Sequence, residues 1–129
     1  MLKTRWLDRR IGLAGPYLAL CLGEDEFRAA IKHLKLSETP KWARSGANAT
    51  LHTFDNPNGN LLCVVCMNGY ESGSPIEVAG LLVHEAVHVW QQWCRDIDER
   101  NPGDEQEAYA VQHIAQTLMS EFARRRKHA

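Results

Sequence analysis

The chain has 129 residues, of which 44% are hydrophobic and 24% charged, and its formal net charge is −1. That is material for one domain with a modest core, and the near-neutral balance excludes a global basic field that would attract nucleic acid. No window approaches the roughly 18 uninterrupted apolar residues of a membrane span. The opening stretch MLKTRWLDRRIGLAG lacks the apolar core and small-residue cleavage site of a secretory signal. The expectation is therefore a single α+β domain over 1–129, cytoplasmic, with neither a nucleic-acid nor a membrane partner.

Residues 1–16 read as irregular, with Trp6 and Leu7 as anchors and Gly12, Gly15 and Pro16 as breakers. Tyr17 to Leu22 (YLALCL) is a short apolar run whose type stays open between a strand and a helix start. Glu24 to Leu36 reads as a helix: Phe27, Ala30, Ile31 and Leu34 recur at helical spacing, and Glu24, Asp25 and Glu26 fill the first turn, where the helix dipole favours acids. Ser37 to Pro40 ends it. Trp42 to Ala47 reads as a loop that tucks one tryptophan into the core.

A hairpin follows. Ala49 to Phe54 and Leu61 to Met67 are strand-like, with the dense turn signal Asp55-Asn56-Pro57-Asn58-Gly59-Asn60 between them. The second strand is apolar on both faces and reads as central. The first alternates through Thr50 and His52 and reads as an edge. After the loop Asn68 to Pro75, Ser74 or Pro75 opens a helix over roughly Ile76 to Arg95. Asp96 to Gly103 is a polar connection. Asp104 caps a last helix, with Glu107 three residues on as in a capping box, and this helix reaches about Arg126. Ala108, Val111, Ala115, Leu118 and Phe122 form its apolar stripe.

The cysteines are Cys21, Cys63, Cys66 and Cys94. Without a secretory signal a disulfide framework is not expected. A strand through Cys63-Val-Val-Cys66 sends the two thiols to opposite faces, so buried free thiols are preferred to a metal ribbon. The basic run Arg124-Arg125-Arg126-Lys127-His128 suits a helix C-terminus and a solvated tail, with a polyanion contact as the lesser reading.

The stretch that carries chemistry is LLVHEAVHVWQQW, Leu81 to Trp93. His84 and His88 lie four residues apart, so on a helix both imidazoles leave the same face one turn apart and can hold one metal ion. Glu85 lies about 100° round the helix from His84 and can serve as a base toward a water on that metal. The flanking apolar residues make the helix nearly apolar all round and hence buried, and polar groups in a buried helix need partners. The bland competitor is a pair of hydrogen-bonded core histidines. A catalytic zinc takes a third protein ligand, and Asp104, Glu105 and Glu107 open the next helix. Periodicity alone does not choose among them.

His84-Glu85-x-x-His88 followed by Glu105-Gln-Glu107-Ala108-Tyr109 resembles the gluzincin branch of zinc metallopeptidases over roughly residues 76–125. In that branch a second helix carries E-x-x-A/S-D, and its glutamate is the third zinc ligand. The resemblance implies a zincin-like fold, Zn2+ as cofactor, a peptide or protein substrate, and Glu85 as the catalytic base. It puts Glu105 in the ligand position and Tyr109 where the family aspartate would steady a zinc histidine. Because E-A-Y-A at 107–110 also fits the pattern, Glu107 stays open beside the preferred Glu105. The chain as a whole also resembles small phage or prophage proteins. Tyr70, Tyr109, His52 and His113 are candidate oxyanion donors, each with a structural role as the simpler reading. Gln91 and Gln92 either hydrogen-bond a ligand or the partner helix, or face solvent, and Trp90 and Trp93 read as core aromatics. The edge strand Ala49–Phe54 suits an extended peptide added as a further strand. The small size also admits a catalytically silent zinc-binding or structural protein on the same fold, and a metal-free helical adaptor is the weakest reading.

Overall fold

A computed structural model describes residues 3–7, 16–36, 40–43, 48–55 and 60–127. The element order is β1 (Tyr17–Cys21), α1 (Glu24–Leu34), β2 (Ala49–Asp55), β3 (Leu61–Met67), a short 3-10 turn at Tyr70–Ser72, α2 (Pro75–Asp96) and α3 (Asp104–Lys127). The architecture is α+β: three helices and a three-stranded mixed sheet ordered β1-β3-β2. Among the described residues no helix is long and apolar enough to cross a membrane.

The run YLALC settles as a strand, parallel to β3 with Leu18 opposite Cys63 and Cys21 opposite Cys66. β2 pairs antiparallel with β3, from Ala49 opposite Met67 to Asp55 opposite Leu61. All seven residues of β3 are buried, as an apolar run between two neighbours and two covered faces requires. β2 is the edge, as its alternation implied. The hairpin turn at 56–59 lies outside the described residues, as do Gly12, Gly15, 37–39, 44–47 and the His128 end of the basic run.

The period-2 alternation of the strands sorts the core into two layers. Leu18, Leu20, Cys63, Val65 and Met67 meet α2 and α3 on one face, through Leu82, Ala86, Val89, Trp90, Ile114 and Leu118. Cys21, Val64 and Cys66 meet Phe27, Ala30 and Ile31 of α1 on the other, with Trp42 packed beside them. The anchors at the start are in place: the Leu7 N–H donates to the Leu18 carbonyl at 2.8 Å, and Trp6 tilts against Tyr17. α1 stops two residues before the expected Leu36, because Lys35 turns left-handed at φ 56°. α3 starts on Asp104 rather than being capped by it; the cap position falls on Gly103, whose carbonyl receives the Glu107 N–H at 2.9 Å. Asp104, Glu105 and Glu107 share the first turn, where all three complement the helix dipole.

Candidate functional site

The start of α2 is sharply fixed, and this sets the rotation of the whole helix. Ser74 is the N-cap: its Oγ accepts the Glu77 N–H at 3.1 Å, and the Glu77 carboxylate accepts the Ser74 N–H at 3.2 Å. Pro75 occupies the first helical position, where its missing N–H costs nothing. Those contacts with Ser74 hold the Glu77 carboxyl below its ordinary range. From this start, Val78, Leu82, Glu85 and Val89 fall on one buried strip.

His84 and His88 lie beside that strip and are exposed. Their Nε2 atoms stand 3.2 Å apart, with the rings edge to face. Two zinc–nitrogen bonds of about 2.0–2.1 Å meeting at a tetrahedral angle would separate their nitrogens by about 3.3 Å. The His88 Nδ1 lies 2.9 Å from the Gln91 Oε1. A carbonyl oxygen only accepts, so in this contact the Nδ1 is the donor, and in the neutral ring that tautomer leaves the lone pair on Nε2. The His84 and His88 Nε2 atoms are then within hydrogen-bond distance of each other, and these two nitrogens are the ones that would hold a metal. Gln91 thus plays the hydrogen-bonding role that the sequence left open.

Glu85 is 3% exposed. It lies about 60° round the helix from His88 and 100° from His84, turned toward the sheet. Its charge reaches strand β3, where it contributes to raising the Cys66 thiol, after hydrogen bonding with Cys21, burial, and the charges of Cys21 and Glu26. Glu85 is therefore adjacent to the histidine pair but covered.

The acids of α3 stand elsewhere. Glu107 Oε2 accepts the indole N–H of Trp90 at 2.9 Å. Trp90 is about 200° round the helix from His88, so Glu107 meets α2 on the flank opposite the histidines. Glu105 and Tyr109 are each about 200° round α3 from Glu107, and so are directed away from α2. Both are exposed, Tyr109 by 67%. Among the described residues no group of three His, Cys, Asp or Glu side chains is arranged to hold a metal. The structure brings together His84, His88 and Gln91, with Glu85 alongside; it does not bring Glu105, Glu107 or Tyr109 to them.

The remaining candidate donors have structural positions. His52 points to the α1 face, its ring 4.6 Å from that of Phe27 and its Nε2 3.0 Å from the Trp42 carbonyl. Tyr70 packs edge-on against Phe122 and lies beneath the Arg126 guanidinium. His113 is exposed. Gln92 accepts from Arg95. All four cysteines are free and buried, on opposite faces of β3 for Cys63 and Cys66. Burial, with the charge of Asp96, pushes the Cys63 thiol up to about 12; burial followed by Glu107 and Glu99 raises Cys94. The raised thiols of Cys63, Cys66 and Cys94 stay protonated and are not nucleophiles at neutral pH.

The sequence carried the spacing of His84, Glu85 and His88, but not the identity of Glu107's partner, which depends on how two helices are rotated against each other. Comparison of the chain with family models, with curated proteins and with solved structures finds no match.

Proposed function

We propose that the chain is a zinc-dependent hydrolase, a small metallopeptidase with a minimal zincin core of the gluzincin type. The observation that carries the reading is the convergence of the two Nε2 atoms at 3.2 Å, with the His88 tautomer set by Gln91. The donor set fits zinc as far as two imidazoles go, and His84 and His88 are the residues that would hold it. Zinc, when bound, supplies a Lewis acid and an acidified water. Glu85 takes a proton from the water that attacks the scissile carbonyl carbon. It returns that proton to the amine nitrogen as the carbon–nitrogen bond breaks. Because Glu85 is covered and turned toward the sheet, this transfer needs its carboxylate to swing out beside the exposed histidines. β2, the edge of the sheet among the described residues, suits the substrate, an extended peptide held by main-chain hydrogen bonds.

Completion of a three-ligand site by Glu105 or Glu107 requires the start of α3 to turn, releasing Trp90 in the case of Glu107. That observation favours a second reading, in which the fold binds zinc without turnover or serves as an interaction module.

The test is metal per chain by elemental analysis after dialysis against zinc, for the wild type and for His84→Ala, Glu105→Gln and Glu107→Gln, with cleavage of a diverse peptide library alongside. About one zinc in the wild type, lost in His84→Ala and in one glutamate variant, is the expected result. Glu85→Gln keeps the zinc and loses cleavage. Zinc without cleavage selects the silent reading. A wild type that takes up no zinc sinks the hydrolase reading and leaves a metal-free interaction module.

A further inference from the structure

The C-terminal end of α3 forms a second polar centre, remote from the histidines. Glu121 is 5% exposed, and three guanidinium groups surround its carboxylate. Arg124 grips both oxygens at 2.8 and 2.9 Å, Arg5 approaches at 3.3 Å and Arg125 at 3.8 Å. Arg125 also pairs with Glu26, which in turn accepts the Leu22 N–H at 3.0 Å. Beside this cluster is a cavity of about 220 Å³, lined by Lys3, Thr4, Arg5, Glu26, Arg124 and Arg125 among others.

The internal pairs do not use up the donors around this cavity. Four cations line it, against the two carboxylates of Glu26 and Glu121. Each guanidinium carries five N–H groups in a planar fork, and Arg124 places only two of its donors on Glu121. Lys3 makes no ion pair among the described residues. The Thr4 Oγ1 is buried and has no hydrogen-bond partner, a costly condition for a hydroxyl unless something in the cavity completes it. Excess positive charge, unused planar donors and an orphaned hydroxyl converge on one partly open cavity. Their common complement is a compact anion rich in acceptor oxygens.

We propose that this cavity binds a phosphoryl group, either inorganic phosphate or the phosphate of a small monoester. Lys3, Thr4 and the unused N–H groups of Arg5, Arg124 and Arg125 are its donors. A nucleic-acid backbone is a poorer fit: the cavity is concave and short, and a running chain of phosphates would meet Glu26 and the acids at the start of α1. The arginines take their geometry from Glu26 and Glu121, so the donors are fixed before the ligand arrives. The site is independent of the zinc reading.

The experiment is a calorimetric titration at low ionic strength with inorganic phosphate, then with glycerol phosphate. It uses His84→Ala protein, so that a metal at the histidines plays no part. Saturable binding is expected. The Lys3→Gln, Thr4→Val double variant keeps the melting temperature and binds about tenfold more weakly or worse, because charge-assisted contacts are lost. The tighter of the two ligands identifies the source of the phosphoryl group. Four results overturn the proposal: no saturable phosphate binding, the same heat with chloride at matched ionic strength, unchanged affinity in the double variant, or tighter binding of a single-stranded oligonucleotide that the double substitution does not weaken.

Discussion

The two flanks of α2 are built in opposite ways. On one, Trp90, Trp93, Cys94 and Ala86 are buried, and the indole nitrogen of Trp90 finds a carboxylate on α3. On the other, His84, His88 and Gln91 are exposed and partner one another within about two turns of the same helix. The first flank is finished protein interior, and its polar groups close a contact between elements. Among the described residues these polar side chains bond to no other element, so they contribute little to holding the fold together. Polar side chains that are ordered but hold nothing together suit a ligand.

The largest effect that would sharpen this contrast is Trp90→Ala. It should cost about 3–5 kcal/mol in chemical denaturation, while His84→Ala should move the metal-free protein by less than about 0.5 kcal/mol. Equal costs would erase the distinction between the flanks. Next is Glu121, the buried carboxylate near the C-terminal end of α3. Burial alone would raise its carboxyl, but Arg124, Arg5 and Arg125 together outweigh that and hold it below its ordinary 4.5. A depressed carboxyl stabilises the fold fully above its unfolded value, and the benefit disappears as pH falls through the folded value. Glu121→Gln should therefore lower neutral-pH stability by about 2 kcal/mol and flatten the acid limb of the stability curve below pH 4.5. An unchanged acid limb would remove Glu121 as an anchor.

A smaller effect separates the flanks by metal rather than by stability. Gln91→Leu removes the acceptor that fixes the His88 tautomer and should weaken zinc binding by about 10-fold or more, with little change in the metal-free melting curve. Affinity equal to wild type would make the Gln91 contact incidental. The smallest effect belongs to the shared start of the helix. Ser74→Ala should cost about 1 kcal/mol and loosen both flanks alike, visible as faster amide exchange over the first turn of α2.

Much of this was legible in the sequence, for reasons that differ by element. Helical spacing in Phe27, Ala30 and Ile31, and the chain punctuation at Ser74-Pro75, carried α1 and α2. The two-faced apolarity of Leu61–Met67 against the alternation of Ala49–Phe54 carried the central and edge assignments. Tyr17–Cys21 was ambiguous because a short apolar run has no period, and its parallel pairing with β3 is a tertiary choice. Lys35 ended α1 early through a left-handed turn that a lysine does not advertise. At the site, the intrahelical relation of His84, Glu85 and His88 follows from spacing alone. The place of Glu105, Glu107 and Tyr109 does not, since spacing fixes a residue on its own helix and says nothing of which flank of the neighbour it meets.

The parallel pairing of β1 with β3 has a consequence for the order of assembly. β2 and β3 are close in sequence and zip locally, from Asp55 opposite Leu61 outward. Cys21 reaches Cys66 only after α1 and the whole hairpin have been made, and closing so long a loop is slow. β1 is thus the last strand to enter the sheet, and during synthesis the inner edge of β3 waits uncovered for a segment that left the ribosome first. Truncation of Val64 should slow folding, whereas truncation of Leu18 should mainly speed unfolding.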